Sequence, residues 1–193
     1  MLKVNLGAGY KRFAGFVNVD DDILTNPEYV VDLEHDKLPF EDNSVEEMIC
    51  HHILEHIGEG YIPLLQEIYR VCTNGAIIDI CVPHHTHEVF LNDPTHKRPI
   101  TVEGMRLFSK KYNTENIRKH GSSSGLGLKF NVDFEIIWYN YEHDSFYDGI
   151  IKSFNDRKQA GLVSPEEEFA YARLFREANN VTVETQMKLV VIK

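Results

Sequence analysis

The stretch from Lys3 to Asp20, KVNLGAGYKRFAGFVNVD, constrains the fold of this chain more than any other. Its two apolar runs, Val4-Asn5-Leu6 and Phe16-Val17-Asn18-Val19, are strand-like, and the first ends in Gly7-Ala8-Gly9 while the second ends in Asp20-Asp21-Asp22. A glycine pair at the C-terminal end of a strand lets the backbone turn sharply and lets a ligand approach the main chain. An aspartate at the tip of the next strand offers two acceptor oxygens to a ribose diol. The same aspartate triplet also suits a solvated turn, but its place after a GxG favours a nucleoside-binding α/β sheet.

The missing features narrow the nucleoside. A dinucleotide fingerprint needs a third glycine, a helix facing the pyrophosphate and an acid about 20 residues on, and a phosphate cradle needs GK[ST]. Neither pattern is present, and only Tyr10 to Gly15 separates Gly9 from the second strand, too little for a full crossover helix. S-adenosyl-L-methionine carries a ribose and an adenine but no phosphate, so a short turn and an acid meet its needs.

Further blocks follow in order: Val31-Asp32-Leu33, then Leu38-Pro39-Phe40-Glu41-Asp42-Asn43-Ser44-Val45, then His51-His52-Ile53-Leu54-Glu55-His56. The succession LGAG, VNVD, VDL, LPFEDNSV, HHILEH resembles the class I S-adenosylmethionine-dependent methyltransferases, in particular the small methyltransferase type 11 group, over about residues 3–83. That resemblance implies that Gly7 and Gly9 lie under the methionine part of the cofactor and that Asp20 holds the ribose hydroxyls. Asp32 and Leu33 would flank the adenine, and His51 and His52 would sit beside the sulfonium. The cofactor-binding set is Asn5, Gly7, Ala8, Gly9, Tyr10, Asp20, Asp21, Asp32, Leu33, His51 and His52, with S-adenosyl-L-homocysteine as product. The chain departs from the resembled pattern in its abbreviated first helix.

At 193 residues the chain suits a single domain, 1–193, with no repeat or composition break. It starts directly on a strand without a signal-peptide pattern, and no apolar run approaches the roughly 18 residues of a membrane span. A cytoplasmic protein without membrane attachment is expected. Cys50, Cys72 and Cys81 sit among apolar neighbours and read as buried free thiols. A net charge of −10 with no dense Lys/Arg cluster argues against a nucleic-acid partner and leaves a small-molecule acceptor. The sequence leaves self-association into a homodimer open.

The α/β alternation predicts a Rossmann-like, doubly wound sheet. Strands are expected around Leu6, Val19, Val30, Ile49 and Ile80, a helix over Tyr61–Cys72 closed by Thr73-Asn74-Gly75, and a helix over Thr101–Tyr112 with Thr101 as N-cap. A flexible segment is expected over Gly121–Gly127, a sixth strand over Phe130–Glu142, a helix over Pro165–Asn179 and a last strand over Thr182–Ile192. The resemblance implies seven strands, mostly parallel, with the last one antiparallel and inserted between the fifth and sixth. Phe146, Tyr147, Phe154, Phe169, Tyr171 and Phe175 are read as core, and the acceptor pocket is expected from segments 83–128 and 144–181.

Methyl transfer from a sulfonium is an in-line displacement that needs alignment and water exclusion more than acid-base work. A base helps where the acceptor is a hydroxyl or a protonated amine, and histidine is the natural choice. The catalytic candidates are His52, His84, His85 and His96, because segments leaving the fourth and fifth strands emerge at the ligand-binding rim of an open α/β sheet. Glu55 and His56 read as structural. The histidines of residues 84–96 with Asp93 invite a metal, but the acidic ligand set of metal-using methyltransferases does not match these positions, and no metal ligand is assigned. The expected activity is methyl transfer to an O or N nucleophile; a non-catalytic cofactor-binding subunit and lyase chemistry on the same cofactor are the alternatives.

Overall fold

The computed structural model describes residues 1–121 and 124–193. Seven strands form one sheet in the order β3-β2-β1-β4-β5-β7-β6. The strands are β1 (Leu2–Leu6), β2 (Val17–Asp20), β3 (Tyr29–Val30), β4 (Val45–His51), β5 (Cys72–Pro83), β6 (Phe134–His143) and β7 (Thr182–Val191). The first five pair in parallel, and β7 runs antiparallel between β5 and β6. This is the expected doubly wound sheet with its antiparallel last strand.

Burial follows the hydrophobic pattern. Met48 and Cys50 of β4, and Ala76, Ile78, Ile80 and Val82 of β5, are almost wholly buried in one core with Val4, Leu6 and Val19. The helix α1 (Tyr61–Val71) buries Tyr61, Leu64, Leu65, Ile68 and Val71, one stripe at spacings of three and four. Phe134, Met187 and Leu189 extend the core under β6 and β7. All three cysteines are buried and free. Among the described residues no helix is long and apolar enough to cross a membrane.

Several expectations are corrected by the structure. Residues 7–16 contain no helix at all, so the first crossover is a loop rather than an abbreviated helix. Asn5 Nδ2 holds that loop by donating to Lys11 O at 2.9 Å, and Arg12 donates to Gly9 O and to the carbonyl of Thr25. The sequence Thr73-Asn74-Gly75 does not cap α1, because the chain is extended from Cys72 and those residues open β5, with Gly75 at a φ of 82°. After the short helix α2 (Glu88–Asn92), the helix expected over Thr101–Tyr112 is two helices, α3 (Val102–Arg106), capped by Thr101, and α4 (Lys110–His120), capped by Ser109. It breaks because the carbonyls of Leu107 and Phe108 turn out to accept from Gly127 N and Phe134 N.

The sixth strand begins at Phe134, and Leu126–Phe130 is a short helix, α5. Phe146 and Phe169 are exposed rather than core, while Phe154 and Tyr171 stack on each other across helices α6 (Asp148–Gln159) and α7 (Pro165–Glu177). Ser122 and Ser123 of the expected flexible segment, and the Phe175 side chain, lie outside the described residues.

The loop between β3 and β4 is fastened by one side chain. Arg70 of α1 donates to Phe40 O at 2.9 Å and Leu38 O at 3.0 Å and pairs with Glu67 at 2.7 Å and Asp42 at 2.8 Å. Arg70 holds the Glu67 carboxyl below the usual range, and Glu67 accepts from Leu38 N in turn. Arg70→Ala removes the donor from two carbonyls and two carboxylates, and is expected to cost about 1–3 kcal/mol. In denaturant unfolding at neutral pH the midpoint should fall accordingly, and an unchanged midpoint would remove Arg70 from this role.

Candidate active site

The C-terminal ends of β1, β2 and β4 and the turn after β3 enclose a cleft of about 300 Å³ lined by Gly7, Asp20, Asp21, Val31, Asp32, Leu33, Glu34, His35, Ile53, His56, Ile57 and Lys97. Gly7 has a φ of 64°, and a Cβ there would stand 2.5 Å from Ile53 Cγ1, so only glycine fits both the conformation and the space. Asp20 is nearly buried at the tip of β2. Its Oδ2 accepts from Gly9 N at 2.7 Å and its Oδ1 from Asp22 N at 3.0 Å. A carboxylate has about four acceptor positions, so two remain for a ligand.

The turn after β3 is built on Asp32, which accepts from Glu34 N at 2.9 Å and from His35 Nδ1 at 2.8 Å. The His35 contact and the Glu34 amide hold the Asp32 carboxyl below its ordinary range. Glu34 reaches across the cleft to accept from Gly58 N at 2.6 Å and Gly60 N at 2.8 Å, which depresses its own pKa and locks the loop after β4 against the turn after β3. Lys97 Nζ lies 3.7 Å from Glu34.

Of the cofactor residues expected from the sequence, Gly7, Asp20, Asp21, Asp32 and Leu33 line this cleft. Gly9 supports it through Asp20. Asn5 is buried beneath it and donates to Asn18 Oδ1 at 3.0 Å, Ala8 pairs with Val19 O at 3.1 Å, and Tyr10 is exposed. Val31, Glu34, His35, Ile53, His56, Ile57 and Lys97 were not singled out as ligand residues. Val31, Glu34 and His35 lie in or beside the VDL block and Ile53, His56 and Ile57 in or beside the LEH block, so their signal was present, whereas Lys97 comes from a distant loop that no block marks.

His51 and His52 line a second cleft instead, with Lys11, Asp79, Cys81, Trp138, Glu184, Gln186 and Lys188. His51 Nε2 meets Asp79 Oδ1 at 3.1 Å. His52 adopts a left-handed φ of 55° that aims its ring between two acids, Nδ1 at 3.6 Å from Glu55 and Nε2 at 3.2 Å from Glu184. Glu55 first, and then Glu184, raise its pKa.

The four catalytic candidates stand in three places. His52 faces the second cleft. His96 packs on His56, ring centroids 4.7 Å apart, and so lies beside the first cleft. His84 and His85 pack on each other away from both clefts, with His84 against Tyr141 of β6. Thr86 N donates to His84 Nδ1 at 3.4 Å, which engages the acceptor nitrogen of the neutral ring.

Comparisons with known proteins bear on the fold. The methyltransferase-domain family Methyltransf_11 matches residues 14–80. An S-adenosylmethionine-dependent methyltransferase from Archaeoglobus fulgidus aligns with a TM-score of 0.61 at 14% identity, over 97% of this chain and 85% of its own. YcgJ from Bacillus subtilis aligns at 0.55 with 15% identity, over 99% of this chain and 91% of its own. The (4+2)-cyclase SpnF aligns at 0.51 with 13% identity, over 98% of this chain and 75% of its own. No curated protein matches the sequence. The fold is therefore that of the class I S-adenosylmethionine-dependent methyltransferases.

Burial, together with the neighbouring charges of His85, His87 and His143, lowers the pKa of His84 to about 4. Thr86 and Tyr141 are its other close contacts, and neither carries a negative charge to offset this. The unfolded chain takes up the His84 proton near pH 6.5 and the folded chain only near 4, so stability attributable to this residue falls as pH drops through that window. Imidazole NMR should show His84 titrating well below the ordinary histidine value, near pH 4. His84→Gln should flatten the stability loss between pH 6.5 and 4; an unaltered slope would contradict the assignment.

Proposed function

We propose that this chain, a class I S-adenosylmethionine-dependent methyltransferase by fold and by the family match over residues 14–80, binds S-adenosylmethionine in the cleft between Gly7, Asp20, Asp32 and Ile53 and transfers its methyl group to an O or N nucleophile of a small molecule. The observation that carries the reading is Asp20. Its carboxylate is fixed by two backbone amides at the tip of β2 and keeps two acceptor positions for a vicinal diol. Gly7 leaves the strand end open to the methionine moiety, and Val31, Leu33, Ile53 and Ile57 supply the apolar surface for an adenine.

The charge of the cleft selects among nucleosides. Asp20, Asp21, Asp32 and Glu34 face it, and Lys97 is the lining residue with a fixed positive charge, itself drawn to Glu34. A cationic sulfonium with a phosphate-free ribose suits such a lining, whereas the phosphates of ATP or NAD would be repelled. Methyl transfer then requires an acceptor aligned with the methyl–sulfur bond in a water-poor space. The loop carrying His96 and Lys97 lies against the cleft and is the element best placed to hold that acceptor, with His96 in reach of it through His56. His52 is the alternative base, facing the second cleft. Because SpnF shares the fold, product analysis is part of the assignment: methyl transfer yields S-adenosylhomocysteine and a methylated acceptor in equal amounts.

Calorimetric titration should show binding of S-adenosylmethionine and S-adenosylhomocysteine and none of ATP or NAD. Asp20→Ala should weaken both by at least about tenfold, the equivalent of one lost charge-assisted hydrogen bond, with the far-UV spectrum retained. Undiminished affinity in a folded Asp20→Ala protein would refute the ribose assignment.

A further inference from the structure

We propose that Glu55, His56 and His96 form a binding site for a first-row transition-metal dication such as zinc or cobalt, at the edge of the cofactor cleft. One ligand atom from each lies within 4.8 Å of the other two. Glu55 is 1% exposed, yet neither of its carboxylate oxygens has a hydrogen-bond partner. The nearest cationic group is the half-exposed ring of His52, 3.6 Å from Oε1. A buried carboxylate without hydrogen bonds is costly, and a cation seated between it and two imidazoles removes that cost.

Hydrogen bonds fix the tautomer of both imidazoles. Thr95 Oγ1 donates its hydrogen to Asp93 Oδ1 at 2.6 Å, so at 2.8 Å from His56 Nδ1 it acts as the acceptor, and His56 carries its proton on Nδ1. His96 Nδ1 faces the carbonyl oxygen of Phe90 at 2.7 Å, which can only accept, so His96 also carries its proton on Nδ1. Both rings therefore keep Nε2 free as a lone-pair donor. Fixing one ring nitrogen on an oxygen acceptor so that the other can bind is the usual support of a metal-ligating histidine. Asp93 orients His56 through Thr95, and its Oδ2 lies 3.9 Å from His96 Nε2.

Two imidazoles and one carboxylate favour zinc, cobalt or iron over magnesium or calcium. With bonds of about 2.0–2.2 Å, ligand atoms around zinc stand roughly 3–3.5 Å apart, so entry of the ion draws the three side chains together by a small adjustment. Three protein ligands leave coordination positions open. Since His56 also lines the cofactor cleft, an oxygen ligand in that cleft, a hydroxyl or carboxylate, is the chemistry those positions would take. That use rests on the proposed methyl transfer; the metal site does not.

The other cluster with ligand spacing among the described residues, His52, Cys81 and Glu184, is satisfied internally. The Cys81 thiol donates to Glu184 at 3.0 Å, and His52 lies 3.2 Å from the same carboxylate.

The test is titration of chelator-treated protein with Co²⁺, followed by visible absorption and calorimetry, with S-adenosylmethionine affinity measured on the same samples. One ion per chain is expected, with cobalt d–d bands and no thiolate charge-transfer band. His96→Ala and Glu55→Gln should each weaken binding by more than the roughly 10–100-fold that outer-shell partners carry, and Cys81→Ser should leave it unchanged. Binding unaffected by His96→Ala, a thiolate band lost in Cys81→Ser, or no uptake of cobalt would each overturn the site. His96→Ala, in a loop, decides the matter should Glu55→Gln not fold. Loss of cobalt binding with cofactor affinity intact would leave the methyltransferase reading standing.

Discussion

The rim of this sheet depends on carboxylates that collect backbone amides. In a doubly wound fold the loop after the first strand is ordinarily held by the helix that follows it, and here that helix is missing. Asp20 takes over by accepting from Gly9 N and Asp22 N, which joins the end of β1 to the end of β2. Glu34 does the same one strand further out, accepting from Gly58 N and Gly60 N and joining the turn after β3 to the loop after β4. Each bond is charge-assisted and made to a group that would otherwise need water in a crowded place. A Cβ on Gly60 would stand 2.9 Å from Glu34 Cα, so the approach that permits this clamp requires a glycine.

Beneath the rim, the same substitution of side chains for a helix continues inside the core. Asn5 and Asn18 face each other on adjacent parallel strands, both nearly fully buried, and Asn5 reaches up to Lys11 O while Asn18 is held by Glu28. Buried amides are costly unless their partners are supplied, and here each partner belongs to a different segment. The network therefore fixes the register of the loop 7–16 relative to β2 and the turn before β3. It also explains why Asn5, though one residue from the turn, serves the cleft from below rather than touching a ligand.

Much of this was legible in the chain itself. The parallel doubly wound sheet and the placement of Gly7, Asp20, Asp32 and Leu33 at one rim follow from the order of the sequence blocks and the buried runs between them, whereas the antiparallel insertion of β7 is what the resemblance to the methyltransferases implies. Hydrogen bonds over long separations were not legible. The break between α3 and α4 arises because Gly127 and Phe134, some 20 residues on, claim the carbonyls of Leu107 and Phe108, and no local propensity announces that. The start of β5 at Cys72 was missed for a similar reason, because Cys72 lies opposite Val45 in the sheet while Thr73-Asn74-Gly75 looks like a helix cap when read alone. Histidine roles were the least readable of all, since adjacent residues His51 and His52 differ in partner and in backbone region.

That difference shows how the fold divides its histidines among separate electrostatic settings. His52, in a left-handed conformation beside two acids, is drawn toward its charged form, whereas His84, ringed by other histidines and buried, is kept neutral. His56 and His96 belong to neither class, because hydroxyl and carbonyl acceptors fix their protons on Nδ1 and leave Nε2 with its lone pair, in one cluster with the carboxylate of Glu55. An imidazole can act as a cation, a buried neutral prop or a ligand, and with the proposed metal site this chain would use all three. In the proposed methyl transfer the cofactor would be held by the amide-collecting carboxylates, which leaves the histidines free to differ, and the acceptor chemistry would follow from which of these settings opens onto the cleft. His56 does so directly; His84 and His85 do not.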